Sequence, residues 1–298
     1  MGIPTFFYPN PALMCYNYKK LTENFMKTLY ISDLDGTLLN SDARISQYTA
    51  DTLNSLIEKG LLFSYATARS YNTAGEITSG ITAHFPRILY NGAFVVDNAT
   101  KQPIITNFFD DELSRQFVRT LVDGDVWPLV YYYDSGVESM AFIMEKSTDE
   151  MKEFIYEYEG TLRHIPASSA QQLEKANTYY FVCIDTPEKL FPLYEKLKDH
   201  PAANIIYQTD VYTGRQWLEI MPKAASKANA VLMLKEKLGC DRVVCFGDGK
   251  NDISMFNICD ECYAVENAVE ELKVIATATI GSNNADGVAR WLAENGEY

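Results

Sequence analysis

The chain has 298 residues, of which 47% are hydrophobic and 22% charged, a composition typical of globular proteins with room for about two packed domains. Its formal net charge at pH 7 is -14, and its lysines and arginines are scattered rather than clustered. A chain this acidic, without a basic patch, is not expected to bind nucleic acid or an anionic membrane surface.

The predicted location is the cytoplasm. No apolar run approaches the roughly 18 residues of a membrane-spanning helix, and the N-terminus lacks the basic start and apolar stretch of a signal peptide. The six cysteines are sparse for a chain of this length and are expected to be reduced thiols. Cys259 and Cys262 form one C-x-x-C pair, but no second pair completes a zinc site.

Residues 1–25 contain three prolines and show no clear periodicity. We predict that they form a loose N-terminal extension, or that Met26 is the natural start. From residue 26 onwards, short apolar segments alternate with helical patterns, which predicts right-handed crossovers and a mainly parallel sheet. The predicted strands are 28–32, 61–66 and 87–90, and the helices between them are 45–59 and 70–79.

Residues 94–210 follow a different pattern, in which consecutive strand-like runs are flanked by helices. This order predicts an inserted α+β domain with mainly antiparallel strands. The alternating pattern then resumes with a strand at 216–221, a helix at 226–238 and a strand at 242–246. The predicted fold class is therefore α/β, with a Rossmann-like parallel-sheet core (26–93 and 211–298) and a cap domain (94–210).

Asp33 and Asp35 follow the first predicted strand directly, in the run Asp-Leu-Asp-Gly-Thr. In open parallel sheets, ligands bind where the strands end, and two aspartates spaced by two residues can both face that edge. Asp33 is the candidate nucleophile, and Asp35 the candidate acid and base. The alternative is an aspartate-rich turn followed by a capped helix.

A second acidic loop, Gly-Asp-Gly-Lys-Asn-Asp, follows the strand at 242–246. Carboxylates at a strand end suit Mg²⁺, which prefers oxygen ligands. Asp248 is the first candidate ligand, Asp252 is a ligand through water or a helix cap, and Asn251 is a candidate contact of phosphate. A glycine-rich turn with a helix cap is the alternative.

Two further residues are candidates for phosphate binding. Thr67 ends the second core strand and offers a hydroxyl and a backbone N–H, and Lys227 begins a helix with a positive charge. Lys223 is a weaker candidate for the same role, because Pro222 precedes it. Thr67 and Lys227 could each instead be a helix cap or a solvated side chain.

Taken together, the chain resembles the haloacid dehalogenase (HAD) superfamily, and within it the Cof-type sugar-phosphatase-like branch. The resemblance extends from about residue 26 to 291 and rests on the motifs Asp33-Leu34-Asp35-Gly36-Thr37, Thr67-Ala68-Arg69-Ser70, Asn91-Gly92-Ala93, Ser226-Lys227-Ala228, Gly247-Asp248-Gly249-Lys250-Asn251-Asp252, Ala264-Val265-Glu266-Asn267-Ala268 and Asp286-Gly287-Val288-Ala289.

The resemblance implies a Mg²⁺-dependent phosphatase that acts on a small phosphorylated metabolite. It implies that Asp33 forms an aspartyl-phosphate, that Asp35 is the acid and base, and that Thr67 and Lys227 hold phosphoryl oxygens. It also implies that Mg²⁺ is bound by the Asp33 side chain, the Asp35 backbone carbonyl and Asp248. A phosphomutase and a non-catalytic phospho-ligand-binding protein stay open as alternatives.

Some positions depart from the family pattern. Ala68 and Ala228 stand where glycine is usual, and each adds only a methyl group. Glu266 replaces another common glycine and would repel phosphate if it faced the site. In the predicted cap, strand alternation places Tyr131 and Tyr133 on one face and Tyr132 on the other. These tyrosines either pack the cap sheet or line the substrate pocket.

Overall fold

The computed structural model describes residues 26–82, 86–134, 136–157, 159–160, 162–210 and 214–298. The predicted N-terminal extension, residues 1–25, lies outside the described residues. The strands are β1 (Thr28–Ser32), β2 (Leu62–Tyr65), β3 (Arg87–Leu89), β4 (Phe94–Val96), β5 (Pro103–Thr106), β6 (Leu129–Asp134), β7 (Val137–Phe142), β8 (Arg163–Pro166), β9 (Thr178–Ile184), β10 (Ala203–Thr209), β11 (Gln216–Pro222), β12 (Arg242–Gly247), β13 (Glu261–Val265) and β14 (Ala278–Ile280). The helices are α1 (Gln47–Glu58), α2 (Tyr71–Ile77), α3 (Asp111–Asp123), α4 (Asp149–Glu157), α5 (Ala170–Leu173), α6 (Pro187–Leu197), α7 (Lys227–Leu238), α8 (Ile253–Phe256), α9 (Glu270–Ile275) and α10 (Gly287–Asn295).

The core is a parallel sheet with the strand order β14-β13-β12-β1-β2. All five residues of β1 are buried, as expected for an apolar strand covered on both faces. Because β1 lies between β12 and β2, the loops that leave β1 and β12 emerge side by side. The backbone N–H of Asp33 continues this pairing and donates to the carbonyl of Phe246 at 2.9 Å.

A second sheet has the order β10-β11-β9-β6-β7-β8 and is antiparallel except for the pair β7–β8. Apolar residues of α3 and α6 pack on one of its faces, among them Phe117, Leu121 and Leu190. The parallel core with an additional antiparallel sheet confirms the predicted fold class. It also fits the expectation of a cap domain.

The strand predicted at 216–221 was wrongly placed in the core. In the structure β11 pairs antiparallel with β10 and β9 and therefore belongs to the second sheet. At the other predicted boundary, β4 pairs with β3 and β5 in a small three-stranded sheet and does not open the cap. Hydrophobic pattern identifies a strand but not its partner, so the exact division at 93/94 and 210/211 could not be read from the sequence.

The expectation of reduced thiols stays a prediction. The sulfur atoms of Cys245 on β12 and Cys259 lie next to each other, with a Cα–Cα distance of 6.4 Å. Cys183, Cys240 and Cys262 are free and buried. The pair joins a strand to the segment after α8, a contact that sequence spacing does not reveal.

Across the described ranges, none of the helices combines the length and apolar character needed to cross a bilayer.

Candidate active site

The loop after β1 makes a single wide turn that returns towards β12. Gly36 has a φ of +75°, and a Cβ placed there would lie 2.3 Å from Asp248 Oδ2. Two features of this position favour glycine: the positive φ, which other residues rarely adopt, and the closeness of Asp248, which leaves no room for a Cβ. The turn lets the Thr37 hydroxyl donate to Asp248 Oδ1 at 2.9 Å, which ties the two loops together.

Lys227 is buried at the first turn of α7, and its ammonium group joins two carboxylates. Its Nζ lies 2.6 Å from Asp33 Oδ1 and 2.7 Å from Asp252 Oδ1. The helix start is fixed by the Ser226 side chain, which accepts a hydrogen bond from the Asn229 N–H. The cationic end of Lys227 is thereby held against the predicted nucleophile.

Asp252 is fully buried and links the lysine to the second acidic loop. While Oδ1 accepts from Lys227, Oδ2 accepts from the backbone N–H groups of Asp248 and Gly249, both at 3.0 Å. This residue was predicted only as a water-mediated ligand or a cap. The structure shows that it also fixes the conformation of the loop carrying Asp248.

The carboxylates of the site lie close together and have little contact with solvent, which shifts their pKa values. Burial raises the pKa of Asp33 well above its usual range, although Lys227 opposes this, and Asp252 and Asp248 add to it. Burial likewise raises the pKa of Asp248 to about 7, with Asp252 as the next cause. Burial acts to lower the pKa of Lys227, but Asp252 and Asp33 outweigh it and the pKa is raised.

Three of the predicted metal ligands meet at one point. Oxygen atoms of Asp33, Asp248 and Asp252 all lie within 4.8 Å of one another. The donor set consists of hard carboxylate oxygens, which suits a divalent cation such as Mg²⁺. One lysine does not balance three carboxylates, of which Asp33 and Asp252 are buried and Asp248 is half-buried, so a bound cation also fits the charge of the site.

Asp35 is the fourth predicted metal ligand, through its backbone carbonyl. Its side-chain carboxylate does not join the cluster of the other three aspartates. Its two oxygens accept from Arg69, with distances of 2.8 Å to Nε and 2.6 Å to a terminal nitrogen. This bidentate pair was not predicted, although Arg69 belongs to the quoted Thr-Ala-Arg-Ser motif. The sequence feature that could have predicted this pair is the position of Arg69 shortly after β2, the strand next to β1 in the same sheet.

The two other phosphate-binding candidates are placed differently. Asn251 lines the cleft in front of Asp33, and its amide lies 3.4 Å from the side-chain oxygen of Asn91. Thr67 is fully buried, with its hydroxyl accepting from the Arg69 N–H at 3.1 Å, and it does not line the cleft. Lys223 is exposed and is not brought to the site.

Two asparagines that sequence reasoning gave no role support the loop after β1. Asn267 donates to the carbonyl of Gly36 at 2.7 Å, and Asn283 donates to the carbonyl of Leu39 at 2.9 Å. Asn283 also bonds to Asn267 through its backbone. The neighbouring Glu266 is exposed and outside the cleft lining, so the repulsion considered for it does not arise here.

A cleft of about 650 Å³ opens over these residues and is walled by the second sheet. Tyr131 and Tyr180 line it, whereas Tyr132 packs on the opposite face with the helices, as strand alternation predicts. Tyr133 lies on the same side as Tyr131 but outside this cleft. One tyrosine of the predicted run thus faces the site.

Comparison with known proteins agrees with this architecture. The profile of the haloacid dehalogenase-like hydrolases matches residues 30–292, so the chain belongs to that family. The solved structure of TM0651 from Thermotoga maritima has a TM-score of 0.72 at 25% identity, covering 92% of this chain and 98% of that one. A haloacid dehalogenase-like hydrolase from Bacteroides thetaiotaomicron has a TM-score of 0.75 at 22% identity, covering 90% and 99%, and shows the same fold.

Two curated relatives are phosphatases. The 5-amino-6-(5-phospho-D-ribitylamino)uracil phosphatase YwtE of Bacillus subtilis is 25% identical, over 92% of this chain and 100% of its own length. The HMP-PP phosphatase of Serratia proteamaculans is 28% identical, over 90% and 94%. The family and these relatives confirm the predicted Cof-type resemblance and the predicted class of enzyme, a HAD-like phosphatase.

Proposed function

We propose that the protein is a Mg²⁺-dependent phosphatase that hydrolyses a small phosphomonoester through an aspartyl-phosphate on Asp33. The observation that carries the proposal is the meeting of Asp33, Lys227, Asp248 and Asp252, which come from distant parts of the chain. A nucleophilic carboxylate, a fixed amine and an acidic metal cluster are the parts that phosphoryl transfer needs.

In the first step a carboxylate oxygen of Asp33 attacks phosphorus, and the bond to the leaving oxygen breaks as Asp35 gives that oxygen a proton. In the second step Asp35 takes a proton from water, the water oxygen attacks phosphorus, and the bond to Asp33 breaks. Inorganic phosphate leaves, and both aspartates return to their starting states. Splitting the transfer in this way is a recognised use of a carboxylate nucleophile.

The remaining residues hold the phosphoryl group and its charge. Lys227 balances the charge of Asp33 and, with Asn251 and the hydroxyl of Thr67, binds phosphoryl oxygens; the backbone N–H of Thr67 donates instead to the Ile88 carbonyl at 3.0 Å. The side chains of Asp33 and Asp248, the backbone carbonyl of Asp35 and, through water, Asp252 would hold Mg²⁺, which when bound would supply the positive charge that the acidic site lacks.

Arg69 adds a requirement to this scheme. Because both oxygens of Asp35 accept from the guanidinium, Arg69 fixes the direction of the carboxylate that serves as acid and base in this scheme. A substrate entering the cleft, which both residues line, is the natural competitor for Arg69.

The substrate class follows from the cleft and the relatives. A volume of about 650 Å³ accommodates a small metabolite, and the named relatives act on a phosphorylated ribitylamino-uracil and on HMP-PP. We infer a sugar phosphate or a phosphorylated cofactor, hydrolysed in the cytoplasm, with neither nucleic acid nor membrane as a partner.

The test is turnover of p-nitrophenyl phosphate by an Asp33→Asn variant. We expect activity to fall by at least about 10³-fold with the fold unchanged by circular dichroism, since the amide is a poor nucleophile. Asp260→Asn is the control, because Asp260 is an aspartate outside the cleft lining. Full activity of Asp33→Asn would refute the assignment.

A further inference from the structure

The wall of the cleft opposite Asp33 is formed by the antiparallel sheet. Along β11, side chains alternate between its two faces. Trp217 and Glu219 line the cleft, whereas Leu218 and Ile220 pack against the helices on the other side. The face turned to the substrate therefore combines an indole ring with a carboxylate.

Glu219 is the buried acidic group of this wall. It is 3% exposed, and its oxygens accept from the Tyr180 hydroxyl and from the Gln208 amide, the latter at 2.9 Å. Tyr180 and Gln208 line the cleft as well. Tyr180 and Gln208 both donate hydrogen bonds to Glu219. The charged group that these three side chains offer to a ligand is therefore a carboxylate, which accepts hydrogen bonds and does not donate them.

Aromatic side chains surround this carboxylate. Tyr131 and Tyr180 meet edge to face with ring centroids 5.8 Å apart, and Phe154 meets Trp217 in the same way at 5.2 Å. All four line the cleft. The indole nitrogen of Trp217 is buried and has no hydrogen-bond partner among the described residues.

The charge of the outer cleft is also negative. Asp42, Glu157 and Asp210 line it in addition to Glu219. Two arginines line it too, but each is already paired with a carboxylate, Arg69 with Asp35 and Arg215 with Glu153. A second anionic group on the substrate would meet these acidic groups and would have to break an existing ion pair to gain an arginine.

We propose that the cleft selects a phosphomonoester whose leaving group carries a ring and a positively charged or amino nitrogen, with Glu219 as the group that binds this nitrogen. The inference rests on the proposed function and specifies the substrate class of the same site. A leaving group with a carboxylate is disfavoured by the same charges. Burial raises the pKa of Glu219 to about 7, and a neighbouring ammonium would hold the carboxylate ionised.

The test measures binding separately from turnover, with three benzylphosphonates that differ only in the para substituent: aminomethyl, hydroxymethyl or carboxyl. Dissociation constants are measured by calorimetry with Mg²⁺ present. We expect the aminomethyl compound to bind about tenfold more tightly than the carboxyl compound, the size of one charge-assisted hydrogen bond. In Glu219→Gln this ratio is expected to fall below about threefold.

Glu138→Gln is the matched control. Glu138 is a half-buried carboxyl of the same sheet that accepts from the Tyr90 hydroxyl at 2.9 Å, but it does not line this cleft. Its variant is expected to keep the wild-type ratio. Asp210→Asn, a second variant at the cleft, is expected to lower the ratio less than Glu219→Gln does.

Equal affinities, tighter binding of the carboxyl compound, no measurable binding of any of the three, or an unchanged ratio in Glu219→Gln would overturn the inference. Hydrolysis of the matching para-substituted phenyl phosphates is measured alongside. Absence of turnover with the affinity ranking intact would contradict the proposed function and leave the selection by Glu219 standing.

Discussion

At the scale of single residues, the charge balance around Lys227 decides the stability of the site. One ammonium group contacts Asp33 and Asp252, and Asp248 lies within the same cluster. A buried pair is costly to form, but removing one partner leaves the other charge buried without compensation. The lysine thus has a structural role in addition to the proposed contact with phosphate.

Lys227→Met tests this role. In EDTA we expect the free energy of unfolding to fall by about 3 kcal/mol or more, because the remaining carboxylates lose their only close cation among the described residues. The measurement is urea denaturation followed by circular dichroism. Lys235→Met on the same helix is the control: its exposed pair with Asp260 is worth at most about 1 kcal/mol. Equal losses in the two variants would count against the account.

Sequence reasoning found the residues that leave strand ends. Asp33 and Asp248 each follow a buried strand directly, and Lys227 begins an apolar helix, so their meeting follows from the parallel sheet itself. The pairing of Asp35 with Arg69 and the position of Glu219 depend on side-chain direction and on the second sheet. Neither is encoded in local spacing, which is why both were missed.

At the scale of elements, the site depends on how closely α7 approaches the turn after β3. Gly92 has a φ of +98°, and a Cβ there would lie 2.3 Å from the carbonyl oxygen of Ser226. The Asn91-Gly92 turn therefore touches the residue that caps α7 and precedes Lys227. Glycine allows the helix start to lie where its lysine reaches Asp33.

Gly92→Ala is expected to displace this helix start. We expect a loss of at least about 2 kcal/mol in the free energy of unfolding and a lower kcat for p-nitrophenyl phosphate, since a positive φ and a backbone clash act together. Gly239→Ala is the control: Gly239 ends α7 with a φ of +63°, and its Cβ would meet nothing within 4 Å. That variant should lose about 1 kcal/mol and keep its kcat. Identical behaviour of the two variants would contradict the argument.

The error in placing β11 shows that a hydrophobic pattern does not identify the partners of a strand. β11 directly precedes the helix of Lys227 and was therefore assigned to the core, yet its hydrogen bonds go to β9 and β10. Strand pairing is decided by tertiary packing, and β11 is buried along five of its seven residues, so its apolar run resembles that of a parallel core strand. The correction matters for function, because it places Trp217 and Glu219 in the wall of the cleft.

At the scale of the whole molecule, the net charge at pH 7 is -14, and the cluster of Asp33, Asp248 and Asp252 is the place where the proposed divalent cation would bind. A ligand that binds only the folded state stabilises it by about 2.7 kcal/mol at a hundredfold excess over its Kd. We therefore expect Mg²⁺ to raise the melting temperature relative to EDTA. The measurement is differential scanning fluorimetry across a Mg²⁺ series.

The Mg²⁺ series needs two variants beside the wild type. Asp248→Asn should lose most of the shift in melting temperature, because one of the clustered oxygens becomes part of a neutral amide. Asp260→Asn, outside the cluster, should retain the shift. If the melting temperature of the wild type did not change with the Mg²⁺ concentration, this result would be evidence against the metal site.

In the proposed reaction phosphorus bonds to Asp33 before water attacks it, and the stereochemistry of hydrolysis tests this order most directly. A phosphorothioate monoester made chiral at phosphorus by sulfur and two oxygen isotopes is hydrolysed in water labelled with the third oxygen isotope, and the configuration of the released thiophosphate is read by ³¹P NMR. Two successive in-line displacements predict retention. Inversion would mean that water attacks the substrate directly and that Asp33 is not the nucleophile.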